Sequence, residues 1–253
     1  MSFVLSKTEN RVAGIQLARL EKKNALTAEM YQQLAAALAA ADADPQVRAI
    51  LLHGTQDCFT AGNDVGDFLK RPAGAEPPVV ALFKVLPNLA KPIVAAVGGP
   101  AVGIGSTMLL HCDLVYAASN ARFQLPFVPL GIVPEFASTY LLPLLAGYQR
   151  AAELLLLGQP FSAQKAQEIG MVCEVVPAEE LLAKAREAAA KLAALPPESL
   201  RLTKRLLKKR HGAAIAESIA EETKIFSERL SSPEAKEAMS AFLEKRKPDF
   251  SRF

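Results

Sequence analysis

The chain has 253 residues, with 29 Lys and Arg against 26 Asp and Glu, 3 His, 3 Cys and no Trp, and 51% of it is hydrophobic. That length and apolar share suit one large folded unit, or a domain with an appendage, and exclude wholesale disorder. Cys58, Cys112 and Cys173 are too few and too far apart for a disulfide framework, the lack of CxxC and HExxH argues against zinc, and three histidines leave most chemistry to carboxylates and backbone.

The N-terminal residues carry neither a basic region nor a long apolar stretch, so no targeting signal is visible and cytoplasm is the default expectation. Apolar runs bounded by turn residues predict strands at Val12–Leu17, Val47–His53, Ile93–Val97, Leu114–Ala117 and Val172–Val176. Thr27 is placed to cap a helix over 28–41 that stops at Asp44-Pro45, and Ser162 to cap a short helix ending at Gly170. The proline-rich segment Arg71–Pro78 reads as a mobile loop. After about residue 178 the strand signals vanish and helices are expected over 178–194, 197–210 and 213–230, with a last one opened by Ser232-Pro233. This order predicts an α/β core over residues 1–195 and a helical region over 196–253.

Two features admit other readings. The uncharged run Pro92–Leu110 is long enough for a bilayer, but Gly98, Gly99, Pro100, Gly103 and Gly105 would break a lipid-facing helix. A strand, a glycine-rich turn and the start of a buried helix are expected there instead. The net charge of +3 divides into 13 basic and 16 acidic residues over 1–183 and 16 and 10 over 184–253. In the tail the signs alternate at helical spacing, as in Glu217, Glu221, Lys224 and Glu228, which describes a solvated helix face rather than a nucleic-acid surface.

Two glycine turns follow strands: Cys58-Phe-Thr-Ala-Gly-Asn-Asp64 and Gly98-Gly-Pro-Ala-Val-Gly-Ile-Gly105. Neither completes a Walker A, a GxGxxG or a GxSxG motif. Two turns of this kind can aim backbone N–H groups at one point and form an oxyanion hole, or can simply make tight turns and close helix–strand contacts; the residues alone leave both open.

The set Phe59-Thr-Ala-Gly-Asn-Asp64, Gly98-Gly-Pro-Ala-Val-Gly-Ile-Gly105 and His111-Cys-Asp113 resembles the signature of the crotonase (enoyl-CoA hydratase/isomerase) superfamily. Lys23-Asn-Ala-Leu26 is similar to its N-terminal segment and Met239–Lys245 to its terminal helix, so the resemblance runs through nearly the whole chain in order. It implies a crotonase-like spiral of ββα units, a C-terminal helical trimerisation region, acyl-CoA substrates, and a homotrimer or dimer of trimers. No cofactor beyond the coenzyme A moiety, no metal, no membrane and no nucleic acid are expected.

The resemblance places oxyanion donors on the main chain of Asn63 and Ile104. It puts coenzyme A and thioester contacts at Lys22, Ala61, Gly62, Asp64 and Val65, and at Phe226, Phe242 and Lys245 for the adenine and phosphate end. For the two Phe residues ordinary helix packing is an equal alternative, and for Asp64 a turn-stabilising role is. The positions of the paired glutamates of a hydratase hold Thr107 and Phe127, neither of which moves a proton near neutral pH. The Pro134-Glu135 pair instead resembles the catalytic glutamate of Δ3,Δ2-enoyl-CoA isomerases, in the apolar setting that raises a carboxylate's pKa. Glu135 also reads as a first-turn acid of a helix starting near Pro134. An isomerase is thus expected, with a hydratase, a ring acyl-CoA isomerase or a non-catalytic acyl-CoA binder as alternatives. Core or surface roles are expected for His53, His111 and His211, and a turn-holding role for Asp113.

Overall fold

The computed structural model describes residues 2–64, 66 and 76–253. Strands β1 (Val4–Glu9), β2 (Val12–Leu17), β3 (Ala49–His53), β4 (Ile93–Val97), β6 (Leu114–Ala118) and β9 (Glu174–Val176) form one sheet in the order β1-β2-β3-β4-β6-β9, parallel except for the β1–β2 hairpin. Strands β5 (Pro100–Val102), β7 (Arg122–Gln124) and β8 (Phe161–Ser162) form a smaller sheet in that order. From β4 to β7 the chain visits the two sheets alternately, and that alternation winds it into a spiral.

The sequence makes this sheet because its central strand is apolar on both faces. In β4 every residue is buried. Ile93, Ala95 and Val97 point into the main core, while Val94 and Ala96 pack on Leu181, Ala185 and Ala189 of a covering helix, Leu181–Ala194. On the main-core side lies α1 (Ala28–Ala43), whose N-cap Thr27 accepts the Met30 N–H at 3.2 Å and whose Met30, Tyr31, Leu34 and Leu38 are buried. The run Pro92–Leu110 resolves as expected into β4, β5 and a short helix, Ile104–Thr107, and among the described residues no helix is long and apolar enough to cross a membrane.

Remaining helices are α2 (Val80–Val85), α3 (the short Ile104–Thr107), α4 (Ser138–Ala146), α5 (Tyr148–Leu157), α6 (Ala163–Glu168), α7 (Leu181–Ala194), α8 (Pro197–Lys209), α9 (Gly212–Leu230) and α10 (Pro233–Leu243). The Ser162 and Ser232 caps form as expected, on the N–H groups of Lys165 and Ala235. Sequence patterning misses β1, where only Val4 is buried and the alternation is lost on an edge strand. It also misses β5, β7 and β8, which are too short to show a period. The helix expected to start near Pro134 starts at Ser138 instead, so Glu135 is not a first-turn residue and is not placed there by a helix dipole. Of the expected loop, residues 71–75 lie outside the described residues.

Candidate active site

The two glycine turns are held side by side by backbone pairing. The Thr60 N–H donates to Pro100 O at 2.9 Å and the Val102 N–H to Thr60 O at 3.1 Å. On its other side the first turn pairs with Leu26, whose N–H donates to Gly62 O at 2.8 Å and whose carbonyl accepts the Asp64 N–H at 2.9 Å. Because Leu26 uses the groups of Gly62 and Asp64, the intervening Asn63 presents its own N–H to the opposite side of this short ladder. Asn24, fully buried, ties the base of the turn by donating to the carbonyls of Cys58 and Phe59 at 3.2 and 3.0 Å.

Glycine is required at two points. Gly62 has φ of +90°, and a Cβ there would sit 2.8 Å from Val102 O, so the turns could not approach. Gly103, at φ of +55°, turns the chain from β5 into α3. Ile104 is then the first residue of a helix, where the N–H has no partner within the helix. Among the described residues neither the Asn63 N–H nor the Ile104 N–H donates to a protein acceptor.

Glu135 sits in the turn between the 3-10 segment Val128–Leu130 and α4, and is 3% exposed. Its Oε1 has no hydrogen-bond partner among the described residues, as is also the case for Thr107 Oγ1 and Ser138 Oγ. Burial, with a further push from the Glu222 carboxylate, raises its pKa to about 8. After it, Phe136 and Ala137 both adopt left-handed backbone, at φ of 63° and 56°. Such conformations cost non-glycine residues about 1–3 kcal/mol each and persist only where the surroundings over-determine them. Here they do. The Phe136 ring is stacked between Phe83 and His111, with centroids at 4.3 and 3.9 Å, and its carbonyl lies 2.8 Å from His111 Nε2. Since a carbonyl only accepts, that nitrogen carries the hydrogen, and burial drops the His111 pKa to about 4, so the ring is neutral. The Tyr31 hydroxyl donates to Asn63 Oδ1 at 2.5 Å, and burial, with a further push from the Glu135 charge, raises its pKa well above the ordinary value.

A cleft of about 360 Å³ opens beside these turns, lined by Ala61, Gly62, Asn63, Val102 and Gly103 on one side and by Phe127, Leu130, Ile132, Phe226, Met239 and Phe242 on the other. The lining is mostly apolar and includes the rings of Phe127, Phe226 and Phe242.

The enoyl-CoA hydratase/isomerase family model matches residues 7–252. The chain belongs to that family. It is 37% identical to the 1,2-epoxyphenylacetyl-CoA isomerase of Escherichia coli, over 99% of this chain and 98% of the relative, and 33% identical to the 2,3-dehydroadipyl-CoA hydratase of the same organism, over 99% of each. The structure of an enoyl-CoA hydratase/isomerase from Pseudoalteromonas atlantica superposes with a TM-score of 0.94 at 41% identity, covering 98% of this chain and all of the other. The spiral core and C-terminal helices are thus those of the crotonase fold, and the chain is an enzyme of the hydratase/isomerase family.

Of the residues expected to serve a family acyl-CoA site, Ala61, Gly62, Asn63, Phe226 and Phe242 meet in the cleft, whereas Ile104 and Glu135 are buried and do not line it. Phe226 is 7% exposed and Phe242 60%, so the first is chiefly a packing residue and the second an open flank. Lys22 and Lys245 are exposed and do not line the cleft, and Asp64 is engaged by Arg19 at 2.7 Å. Val65 lies outside the described residues. No histidine lines the cleft: His53 Nδ1 meets its neighbour Gly54 O and His211 the Tyr140 hydroxyl. Asp113 holds a turn, accepting the Ile93 N–H at 2.8 Å and pairing with Lys204 at 2.7 Å. Sequence reasoning missed Tyr31, Glu222 and Met239.

Proposed function

We propose that the chain is an enoyl-CoA isomerase that moves a 3-enoyl double bond to C2. Glu135 is the single acid–base group, and the Asn63 and Ile104 N–H groups receive the thioester oxygen. The observation that carries this reading is Glu135 itself: a buried carboxyl with a free oxygen and a pKa near 8, able to accept and return a proton near neutral pH. Ionised Glu135 takes a proton from C2. The electrons of that C–H bond move toward the carbonyl, giving a dienolate whose oxygen accepts both N–H bonds. Protonated Glu135 then delivers its proton to C4, leaving a C2–C3 double bond. Each oxyanion donor contributes ~10²–10³ in rate.

Against hydration speaks the family resemblance, by which Thr107 and Phe127 fall at the positions of a hydratase's two glutamates. A ring-bearing acyl-CoA is the second reading of the substrate, supported by the aromatic rings lining the cleft and by the relative named 1,2-epoxyphenylacetyl-CoA isomerase. Exposed apolar side chains in the C-terminal helices, Leu206 and Leu207 of α8 and Phe242 and Leu243 of α10, support self-association through that region, and a trimer or a pair of trimers belongs to this proposal. Cytoplasmic location, a division at residue 195 and the lack of any cofactor beyond coenzyme A belong to the same proposal.

Glu135→Gln tests the chemistry. Turnover of 3-enoyl-CoA should fall on the order of 10²–10⁴-fold, with thioester binding retained. Near-native turnover by that variant, or a 3-hydroxyacyl product from 2-enoyl-CoA, would overturn the assignment.

A further inference from the structure

Glu222 lies on α9, far along the chain, yet its side chain is buried against the turn that carries Glu135. One carboxylate oxygen accepts the Ala137 N–H at 2.6 Å; the other accepts the Thr139 N–H at 3.0 Å and the Thr139 hydroxyl at 2.5 Å. Three donors converge on one acid, and all belong to residues within four positions of Glu135. The two N–H groups lie at the start of α4, where a helix leaves its donors unpaired. No side chain of α4's own N-cap, Ala137, can serve them. The cap is supplied by a distant segment of the same chain.

We propose that Glu222 is a positioning residue for the reaction: by gripping Ala137 and Thr139 it holds the left-handed Phe136–Ala137 turn and so aims the Glu135 carboxyl. This rests on Glu135 being the acid–base group.

Geometry and charge agree. Two consecutive non-glycine residues in left-handed backbone need an external hold, and Glu222 takes the N–H of the second while His111 takes the carbonyl of the first. Burial raises the pKa of Glu222, and the donors to both its oxygens offset part of that rise and favour the ionised form. That anion opposes ionisation of Glu135. Other titratable groups around the turn are Tyr31 from α1, which senses Glu135, and Glu221, which acts on Glu222 from the same helix. His111 is neutral, and Arg229 and Glu234 are paired with each other at 3.0 Å.

Glu222→Gln keeps the shape but removes the charge and turns one accepting oxygen into a donor facing an N–H. Three measurements apply to it: kcat and KM on 3-enoyl-CoA across pH, ¹³C titration of the Glu135 carboxyl (identified by its loss in Glu135→Gln), and urea unfolding. The plateau kcat should fall roughly 10- to 100-fold, the scale of a displaced catalytic group, with KM little changed. The acid limb of the profile and the Glu135 titration should both move to lower pH, by less than the shift that burial alone sustains. Thr139→Val, which removes one of the three donors and keeps the charge, should lower kcat less and leave the titration in place. An unmoved kcat and titration in folded Glu222→Gln overturns the inference, as does a loss of activity tracked entirely by unfolding. If Glu135→Gln is inactive while Glu222→Gln is native-like, only this inference fails. If Glu135→Gln stays active, the functional reading fails, and with it any role of Glu222 in aiming a base, whatever the titration shows.

Discussion

The hydroxyl of Tyr31, on a helix that packs behind the large sheet, donates to Asn63 Oδ1 at 2.5 Å and thereby clamps the first glycine turn from the core side. Tyr31 is 3% exposed and Asn63 half-buried, so the bond is shielded on the tyrosine side and opens to the cleft on the other. Tyr31→Phe keeps the ring and removes the clamp. It should destabilise the protein by about 1 kcal/mol. Turnover should fall more than stability implies, because the Asn63 main chain is no longer fixed relative to Ile104. Denaturant unfolding and steady-state kinetics on the same preparation check both; a stability loss with unchanged kcat would show that the side chain of Asn63 has no hold on its N–H.

The two glycines of the site should respond differently to a methyl group. At Gly62 an added Cβ meets Val102 O at 2.8 Å in a left-handed residue, so Gly62→Ala must push the turns apart. At Gly103 an added Cβ meets nothing within 4 Å, and only the backbone conformation resists, at about 1–3 kcal/mol. Gly62→Ala should therefore lower kcat by a further factor of at least ~10 beyond Gly103→Ala, since a displacement near 1 Å costs about that or more. Equal losses in the two variants would contradict the side-by-side arrangement as the source of activity.

What could be read from the sequence was what is local. Val12–Leu17 and Ile93–Val97 declare themselves as apolar runs and fold as strands with those bounds. The glycine turns carry their own signature within eight residues each. The residues that hold them do not: Tyr31 reaches Asn63 across 32 positions, Arg19 reaches Asp64 across 45, and Glu222 reaches Ala137 across 85. No spacing rule links such pairs. Glu222 alone left a trace, because it stands one turn from the buried Phe226 and so on the core-facing side of an amphipathic helix, where an acid needs a partner. The start of α4 was misplaced for a related reason: Pro134 is a good first helical residue, but Phe136 and Ala137 are forced left-handed by packing that the sequence does not display.

Asp113 separates a structural acid from a chemical one. It bridges β4 to α8 through the Ile93 N–H and Lys204, whose ammonium also donates to Lys91 O at 2.7 Å and is 7% exposed. Asp113→Ala leaves that ammonium buried without its counter-charge, at a cost of about 3 kcal/mol. The midpoint of urea unfolding should fall accordingly, while kcat per folded molecule stays within about twofold of native. A large fall in kcat at full folding would show that Asp113 has a chemical role as well.

The raised pKa of Glu135 also has a signature in stability. In the unfolded chain its carboxyl titrates near the ordinary value of 4.5; in the folded protein it titrates near 8. Between those values the folded state holds a proton that the unfolded state has released. Its contribution to stability is whole below about pH 4.5 and is lost as pH rises through about 8, at a limiting slope of about 1.4 kcal/mol per pH unit. His111, held near 4 by burial, acts in the opposite sense: its contribution is whole above the ordinary 6.5 and is lost as pH falls toward 4. Glu135→Gln cannot ionise, so it removes the first trend and leaves the second. Relative to native protein the variant should gain stability steadily from pH 5 to pH 8.5, by the order of a few kcal/mol, in urea unfolding series run in matched buffers. Parallel curves for the two proteins over that range would mean that Glu135 is ionised in the folded state well below pH 8, and that it lacks the proton affinity its burial implies.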